Sequence, residues 1–190
     1  MYKSFLVAGC LLVGACQLQN DVKNNTATNQ VDAASGATAI QTEGAKLLNQ
    51  YLQVKPFVST ISDTNQLHQL AKEMMQSADS ITTLSNTLPE PIRDSIASAS
   101  MALSDELSGL QIETDLHEIQ MAFQVASLQL FELMKWMKLS GVTIYKLYDV
   151  EGISGKGASW LDINRVCSNP YEGKLDKKNW LVMDSLCTKQ

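Results

Sequence analysis

The chain has few aromatic residues, 6% of its 190 residues, and only two histidines. It contains no H-E-x-x-H zinc motif, no C-x-x-C pair and no G-x-S-x-G nucleophile turn. Neither histidine lies in a recognisable catalytic setting, so we expect a protein that is not an enzyme. The formal net charge is −5 and no stretch is strongly basic, which argues against binding to nucleic acid.

The chain also lacks an apolar run long enough to cross a membrane. Its N-terminal run, Phe5 to Val13, is far shorter than the roughly 20 residues that a membrane-spanning helix needs. Lys3 precedes this run and two small residues follow it, which is the layout of an export signal. The sequence Leu12-Val13-Gly14-Ala15-Cys16 resembles a lipobox, at which a cysteine receives a diacylglyceryl group before the leader is cut off.

These features predict a lipoprotein signal peptide over 1–15 and lipidation, including palmitate, at Cys16. Cys10 is the alternative, because Val7-Ala8-Gly9-Cys10 also fits, but it leaves an apolar region shorter than the usual ~7–15 residues. Two or three acyl chains on one cysteine would hold the protein firmly at a membrane. Gln17 is not the aspartate associated with retention in the inner membrane. The favoured address is therefore the outer membrane, facing the periplasm, with the inner membrane as the alternative.

Composition divides the mature chain into a tether and a domain. Residues 16–36 are rich in Asn, Gln, Ala and Thr without an apolar period, so we predict a lipidated cysteine followed by a flexible tether. Residues 37–190 are predicted to form the folded domain. Pro56 should interrupt the first helix, and Ser62, Asp63 and Thr64 can cap the second. Leu88-Pro89-Glu90-Pro91 should end the second helix and start the third, because proline suits a first turn. Thr114 or Asp115 should cap the fourth helix, and Gly141 should stop it.

Four stretches of the domain repeat apolar residues at steps of three and four, as amphipathic helices do. The stripes are Leu47, Tyr51, Val54, Val58 and Ile61; Leu67, Leu70, Met74, Ala78, Ile81 and Leu84; Ile92, Ile96, Ala99, Leu103, Leu107 and Leu110; and Leu116, Ile119, Phe123, Ala126, Leu130, Leu133 and Met137. Short connections favour an all-α, antiparallel four-helix bundle. Residues 142–190 are predicted to form an irregular C-terminal cap, with a small hairpin as an option.

Several short motifs resemble a bacterial periplasmic domain family of unknown function, found in lipoproteins and at the C-terminus of copper/silver efflux adaptor (membrane fusion) proteins. They are Tyr51-Leu52-Gln53-Val54-Lys55, Phe123-Gln124-Val125-Ala126-Ser127, Gly157-Ala158-Ser159-Trp160-Leu161, Asn169-Pro170-Tyr171-Glu172-Gly173 and the late Cys187. The likeness covers about residues 45–188. The family's C-P-M motif is replaced here by Asp149-Val150-Glu151. The resemblance implies a divergent member, which has lost whatever the C-P-M motif contributes to metal handling.

Two cysteines remain after the anchor, Cys167 and Cys187. In an oxidising periplasm two such thiols normally pair, so we predict a disulfide that fastens the cap, with a two-thiolate metal or redox site as the alternative. Such a bond could contribute ~3 kcal/mol by the chain-entropy estimate.

A second possible metal site uses His68 with Met75, seven residues apart, and His117 with Met121, four residues apart. Each pair shares a helix face, and imidazole with thioether suits Cu(I). The alternative is that these residues pack at the edges of the bundle, where methionine commonly fills gaps. We favour packing and no resident cofactor.

The remaining motifs also have simpler interpretations. Gly152 to Gly157 is glycine-rich but lacks the spacing of a phosphate loop, and a turn is the better interpretation. Trp160, Tyr171 and Trp180 could line a binding surface, but burying the cap is the favoured role. The sequence thus predicts a membrane-anchored periplasmic lipoprotein, without enzymatic activity, that acts by binding or by envelope association. A copper or heavy-metal-binding module and an envelope scaffold or partner-binding protein are the alternatives.

Overall fold

The computed structural model describes residues 18–60, 63–172 and 180–187, with side chains from Gly36 onward. These residues form four α-helices followed by a three-stranded antiparallel sheet. The helices are α1 (Leu18–Val54), α2 (Thr64–Ser85), α3 (Ile92–Leu110) and α4 (Leu116–Met137), with a short 3₁₀ helix at Lys55–Phe57. The strands are β1 (Thr143–Ile153), β2 (Lys156–Asp162) and β3 (Trp180–Cys187).

The sheet makes the all-α prediction wrong: the fold is mixed α and β, not a four-helix bundle with an irregular cap. β1 lies in the middle of the order β2-β1-β3 and pairs with both neighbours in antiparallel fashion. Five consecutive residues of β2, Ala158 to Asp162, are buried. Because successive strand side chains point to opposite faces, this burial means that both faces of β2 are covered. Such a strand shows no alternation of polar and apolar residues in its sequence.

The helix boundaries follow from local chemistry. α1 gives way to the 3₁₀ helix at Pro56, which cannot donate a backbone hydrogen bond. The Asp63 side chain accepts a hydrogen bond from the Gln66 backbone N–H and begins α2, and Asp115 accepts one from the Glu118 N–H and begins α4. α4 ends at Met137, four residues before Gly141, because Lys138 takes the left-handed conformation with φ 51°.

The helix stripes make the core. Most of the predicted apolar residues are buried, together with Phe131, Met134 and several residues of the sheet. Ile92, at the start of α3, is an exception with 42% of its surface exposed. Ile61 lies outside the described residues.

α1 is longer than the sequence pattern indicates. Its helical backbone begins at Leu18, within the segment 16–36 that was expected to be a flexible tether. Adding one residue to an existing helix is far easier than nucleating a new one, so the packed part of α1 can propagate its backbone toward the N-terminus.

Candidate functional site

A buried network of polar side chains fastens α1 to α4 and to β2. The Tyr51 hydroxyl lies 2.7 Å from Ser127 Oγ on α4, and it accepts a hydrogen bond of 2.9 Å from the Leu161 backbone N–H on β2. Ser127 Oγ in turn donates to the Phe123 carbonyl at 2.7 Å. Burial raises the pKa of Tyr51, so its hydroxyl stays protonated and keeps both hydrogen bonds at neutral pH.

One turn further along, Lys55 forms an ion pair with Asp162, and both side chains are nearly closed to solvent. Asp162 also accepts a hydrogen bond from the Asn164 backbone N–H at 2.8 Å. The Cys167 thiol lies beside this pair and accepts a hydrogen bond from Trp160 Nε1 at 3.4 Å. Burial raises the pKa of Cys167 to about 11, which makes the thiol a poor nucleophile at neutral pH. We call Tyr51, Ser127, Leu161, Lys55 and Asp162 the α1–β2 junction.

A third group of contacts holds the segment after β2. Asn169 Nδ2 donates to the buried Asp149 carboxylate at 2.6 Å, and Asn169 Oδ1 accepts from the Tyr171 backbone N–H at 3.0 Å. The Tyr171 hydroxyl donates to the Ser159 carbonyl at 2.6 Å. Because these polar groups bond to one another inside the domain, the arrangement stabilises the fold and does not present a reactive side chain to solvent.

The segments that carry the family resemblance meet in this region. Tyr51 stacks on Phe123 with ring centroids 4.9 Å apart, and Tyr171 contacts Phe123 and Trp160 at centroid distances of 6.3 and 6.1 Å. The buried Asp149 is the residue that binds Asn169. Trp160 and Tyr171 are buried, as the packing interpretation predicts, and Trp180 is half-buried against Trp160.

The predicted disulfide is wrong, because both thiols are free: Cys167 is buried and Cys187 is exposed. Cys187 pairs with Thr143 on β1, whereas Trp160, which binds Cys167, pairs with Leu147. Four residues along a strand correspond to about 13 Å, and β2 and β3 lie on opposite sides of β1, roughly 10 Å apart. The Cys167 thiol is thus held inside the core by Trp160, whereas the Cys187 thiol lies at the exposed end of β3.

Three of the four residues of the suggested metal site, His68, Met75 and His117, lie within contact distance of other protein groups. His68 Nε2 lies 2.7 Å from the Glu113 carbonyl oxygen, and Met75 Sδ accepts a contact from Gln111 Nε2 at 3.1 Å. His117 is exposed, with Nδ1 3.5 Å from Ser154 Oγ, and Met121 is 40% exposed. Across residues 18–60, 63–172 and 180–187, no group of three or more His, Cys, Asp or Glu side chains could hold a metal ion.

Two surface clefts border the C-terminal end of α4. One of about 510 Å³ is lined by Ile92, Glu132, Lys135, Trp136 and Lys138. A second, of about 370 Å³, lies between α4 and the sheet and shares both lysines with the first. The exposure of Trp136 was not predicted from the sequence. Its position between the buried stripe residues Leu133 and Met137 would have indicated that it lies off the buried face of α4.

Cys16 and Cys10 lie outside the described residues, and so does the whole predicted leader. Among the helices that the structure describes, none has the length and apolar character to cross a membrane. No protein-family model, curated protein or solved structure matches this chain.

Proposed function

We propose that this chain is a lipoprotein of the bacterial outer membrane, anchored through Cys16 and facing the periplasm, which acts by binding rather than by catalysis. The observation that carries the proposal is the leader itself: Lys3, a short apolar run and the sequence Leu12-Val13-Gly14-Ala15-Cys16. An export signal that ends in this way leaves the mature chain tethered to lipid, with its domain outside the cytoplasm.

A binding role is supported by how the domain distributes its polar groups. The ionisable side chains inside it, Lys55, Asp162 and Asp149, are engaged with one another or with Asn169. Two clefts at the end of α4, in contrast, are lined by apolar side chains, two lysines and Glu132. Such a surface suits recognition of a partner, since it offers apolar area with a few polar groups for orientation.

The lipid attachment can be tested by metabolic labelling with radioactive palmitate in a bacterium that has two membranes. We expect the wild-type chain and Cys10→Ala to be labelled, and Cys16→Ser to be unlabelled and to keep the mass of the precursor. Labelled Cys16→Ser protein would refute anchoring at Cys16. Loss of the label in Cys10→Ala alone would move the anchor to Cys10.

The proposed location in the outer membrane can be tested by separating inner and outer membranes on a density gradient. The wild-type chain and Gln17→Ser should sediment with the outer membrane, whereas Gln17→Asp should move to the inner membrane in an enteric host. Protease added after the outer membrane is opened should digest the domain. A domain that stays protected under these conditions, or wild-type protein in the inner membrane, would contradict the proposed location.

A further inference from the structure

The direction in which α1 leaves the domain can be read from two glycines. A Cβ atom added to Gly36 would lie 2.0 Å from Thr87 Oγ1, just after the end of α2, and one added to Gly44 would lie 2.2 Å from Met137 Cε at the end of α4. α1 therefore packs closely against both helix ends. Its N-terminal part leaves the domain at the end formed by the α2–α3 connection and the last turn of α4.

From Gly36 the α1 backbone continues to Leu18, about 27 Å further at 1.5 Å per residue. Leu18 is two residues after Cys16 in the sequence. The end of the domain near Thr87 and Met137 is thus the end that faces the lipid attachment point.

This same end presents an apolar surface with two lysines, which we call the Trp136 patch: Ile92, Lys135, Trp136 and Lys138. Trp136 is 46% exposed and Ile92 is 42% exposed, and all four line the cleft of about 510 Å³. Lys135 pairs with Glu132 at 2.7 Å, and Lys138 is exposed. Tryptophan with neighbouring lysines is the composition found where proteins meet the lipid headgroup region, because the indole is amphipathic and the lysine stem can extend to the phosphates.

We infer that the Trp136 patch rests on the headgroup region of the bilayer in which Cys16 is anchored. This inference depends on the proposed lipid attachment. In the structure α1 is one unbroken helix from Leu18 to Val54, so docking of the patch requires α1 to bend where it leaves the domain, at Ser35–Gly36. Glycine–serine pairs are positions at which helices kink, and Gly36 lacks the Cβ that would stiffen the backbone. The N-terminal part of α1 then lies along the bilayer, and the end of the domain meets the surface.

A second group of exposed apolar residues, Leu181, Val182 and Met183 on β3, is less suited to this role. These three residues lie several positions along β3 from Cys187. Cys187 belongs to the part of β3 that borders the cleft of about 370 Å³ between α4 and the sheet. At ~3.4 Å per residue, Met183 lies roughly 14 Å from Cys187 and Leu181 roughly 20 Å. A cleft that Ile163 lines with Thr38 and Leu48 also borders the exit of α1, but no tryptophan or lysine lines it, so the Trp136 patch has the composition that better suits a headgroup region.

The inference can be tested with the full mature lipoprotein, purified from membranes and reconstituted into vesicles of phosphatidylethanolamine and phosphatidylglycerol. Half of the vesicle samples contain lipids with bromine on the acyl chains close to the headgroups, and the other half contain lipids without bromine. Bromine quenches tryptophan fluorescence at short range. We expect bromine to remove at least half of the fluorescence that Trp136 contributes. The quenching should vanish in Trp136→Phe and persist in the matched control Trp180→Phe.

Flotation of the same vesicles separates the two proposals. Protein that floats with the vesicles but shows no Trp136-dependent quenching refutes the docking and leaves the anchor standing. Protein that does not float refutes the anchor and, with it, the docking.

A photoreactive phenylalanine introduced at position 136 of the intact chain provides a second readout in cells. Adducts to phospholipid support the inference. A discrete adduct to another protein, or one at twice the mass of this chain, would assign the patch to a protein partner or to a second copy and would overturn it.

Discussion

Tyr51→Phe should destabilise the domain far more than the loss of one oxygen atom suggests. The Tyr51 hydroxyl binds two elements at once: Ser127 Oγ at 2.7 Å and the Leu161 backbone N–H at 2.9 Å. Ser127 keeps its hydrogen bond to the Phe123 carbonyl, so it is not left without a partner. The Leu161 N–H, in contrast, loses the acceptor that the structure gives it.

The magnitude follows from these contacts. Losing the hydrogen bond to Ser127 costs about 1 kcal/mol, and leaving the Leu161 N–H buried without an acceptor costs about 1–3 kcal/mol. We therefore expect the free energy of unfolding to fall by about 3 kcal/mol. For a protein of this size, this corresponds to a decrease in Tm of roughly 6–12 °C. The phenyl ring should keep its stacking on Phe123, so the fold itself should survive.

The assay is urea unfolding of the mature chain without lipid, followed by circular dichroism at 222 nm. Tyr145→Phe is the matched control, because the hydroxyl of this half-buried tyrosine on β1 has no hydrogen-bond partner among the described residues. We expect it to change the free energy of unfolding by less than about 0.5 kcal/mol. A Tyr51→Phe protein as stable as this control would refute the role given to the α1–β2 junction.

Four further predictions concern charged, thiol and imidazole groups. Lys55→Met leaves Asp162 buried without its cation and should lower the free energy of unfolding by about 3–5 kcal/mol. The double variant Lys55→Met/Asp162→Leu should lose less, and an equal or larger loss in urea unfolding would argue against the ion pair. In the folded protein at pH 8, iodoacetamide should modify Cys187 and spare Cys167, which is 9% exposed with its pKa raised by burial to about 11. Equal rates, read by mass spectrometry, would contradict the structure. Above pH 9 the unfolded thiol of Cys167 loses a proton that the folded state retains, so stability should fall between about pH 9 and 11. This part of the fall should disappear in Cys167→Ser, and an unchanged pH profile would count against it. Anaerobic titration with Cu(I) should show no uptake tighter than a chelator control, since His68 Nε2 already has a backbone partner. Tight uptake that His68→Ala abolishes would revive the copper hypothesis.

The helical half of the fold could be predicted because its signals are local. A proline at position 56 and capping aspartates at positions 63 and 115 act on residues within one turn, and the structure places helix ends at all three. Most residues of the predicted apolar stripes are also buried, as expected. Ile92 fails because it is the first residue of α3, where the helix has only begun to pack and the side chain opens into a surface cleft.

The sheet could not be predicted in the same way. β2 is covered on both faces, so it lacks the alternation that identifies a half-buried strand. β1 pairs on its other side with β3, whose register joins Thr143 to Cys187, and no short-range pattern connects positions so far apart in sequence. The α1–β2 junction could not be predicted for the same reason, because Tyr51 binds partners that are 76 and 110 residues away in the sequence.

The α1–β2 junction also decides how the domain would respond to a mechanical load. Under the proposed anchoring, a pull on the lipid enters the domain through the N-terminal end of α1. The contacts of Tyr51 with α4 and β2, and of Lys55 with β2, lie near the C-terminal end of α1. The force would then run along the helix axis and shear the packed length from Gly36 to Val54, instead of peeling off one contact at a time. Because these contacts would share the load, a pull on the lipid would have to break many of them together before α1 could separate from the domain.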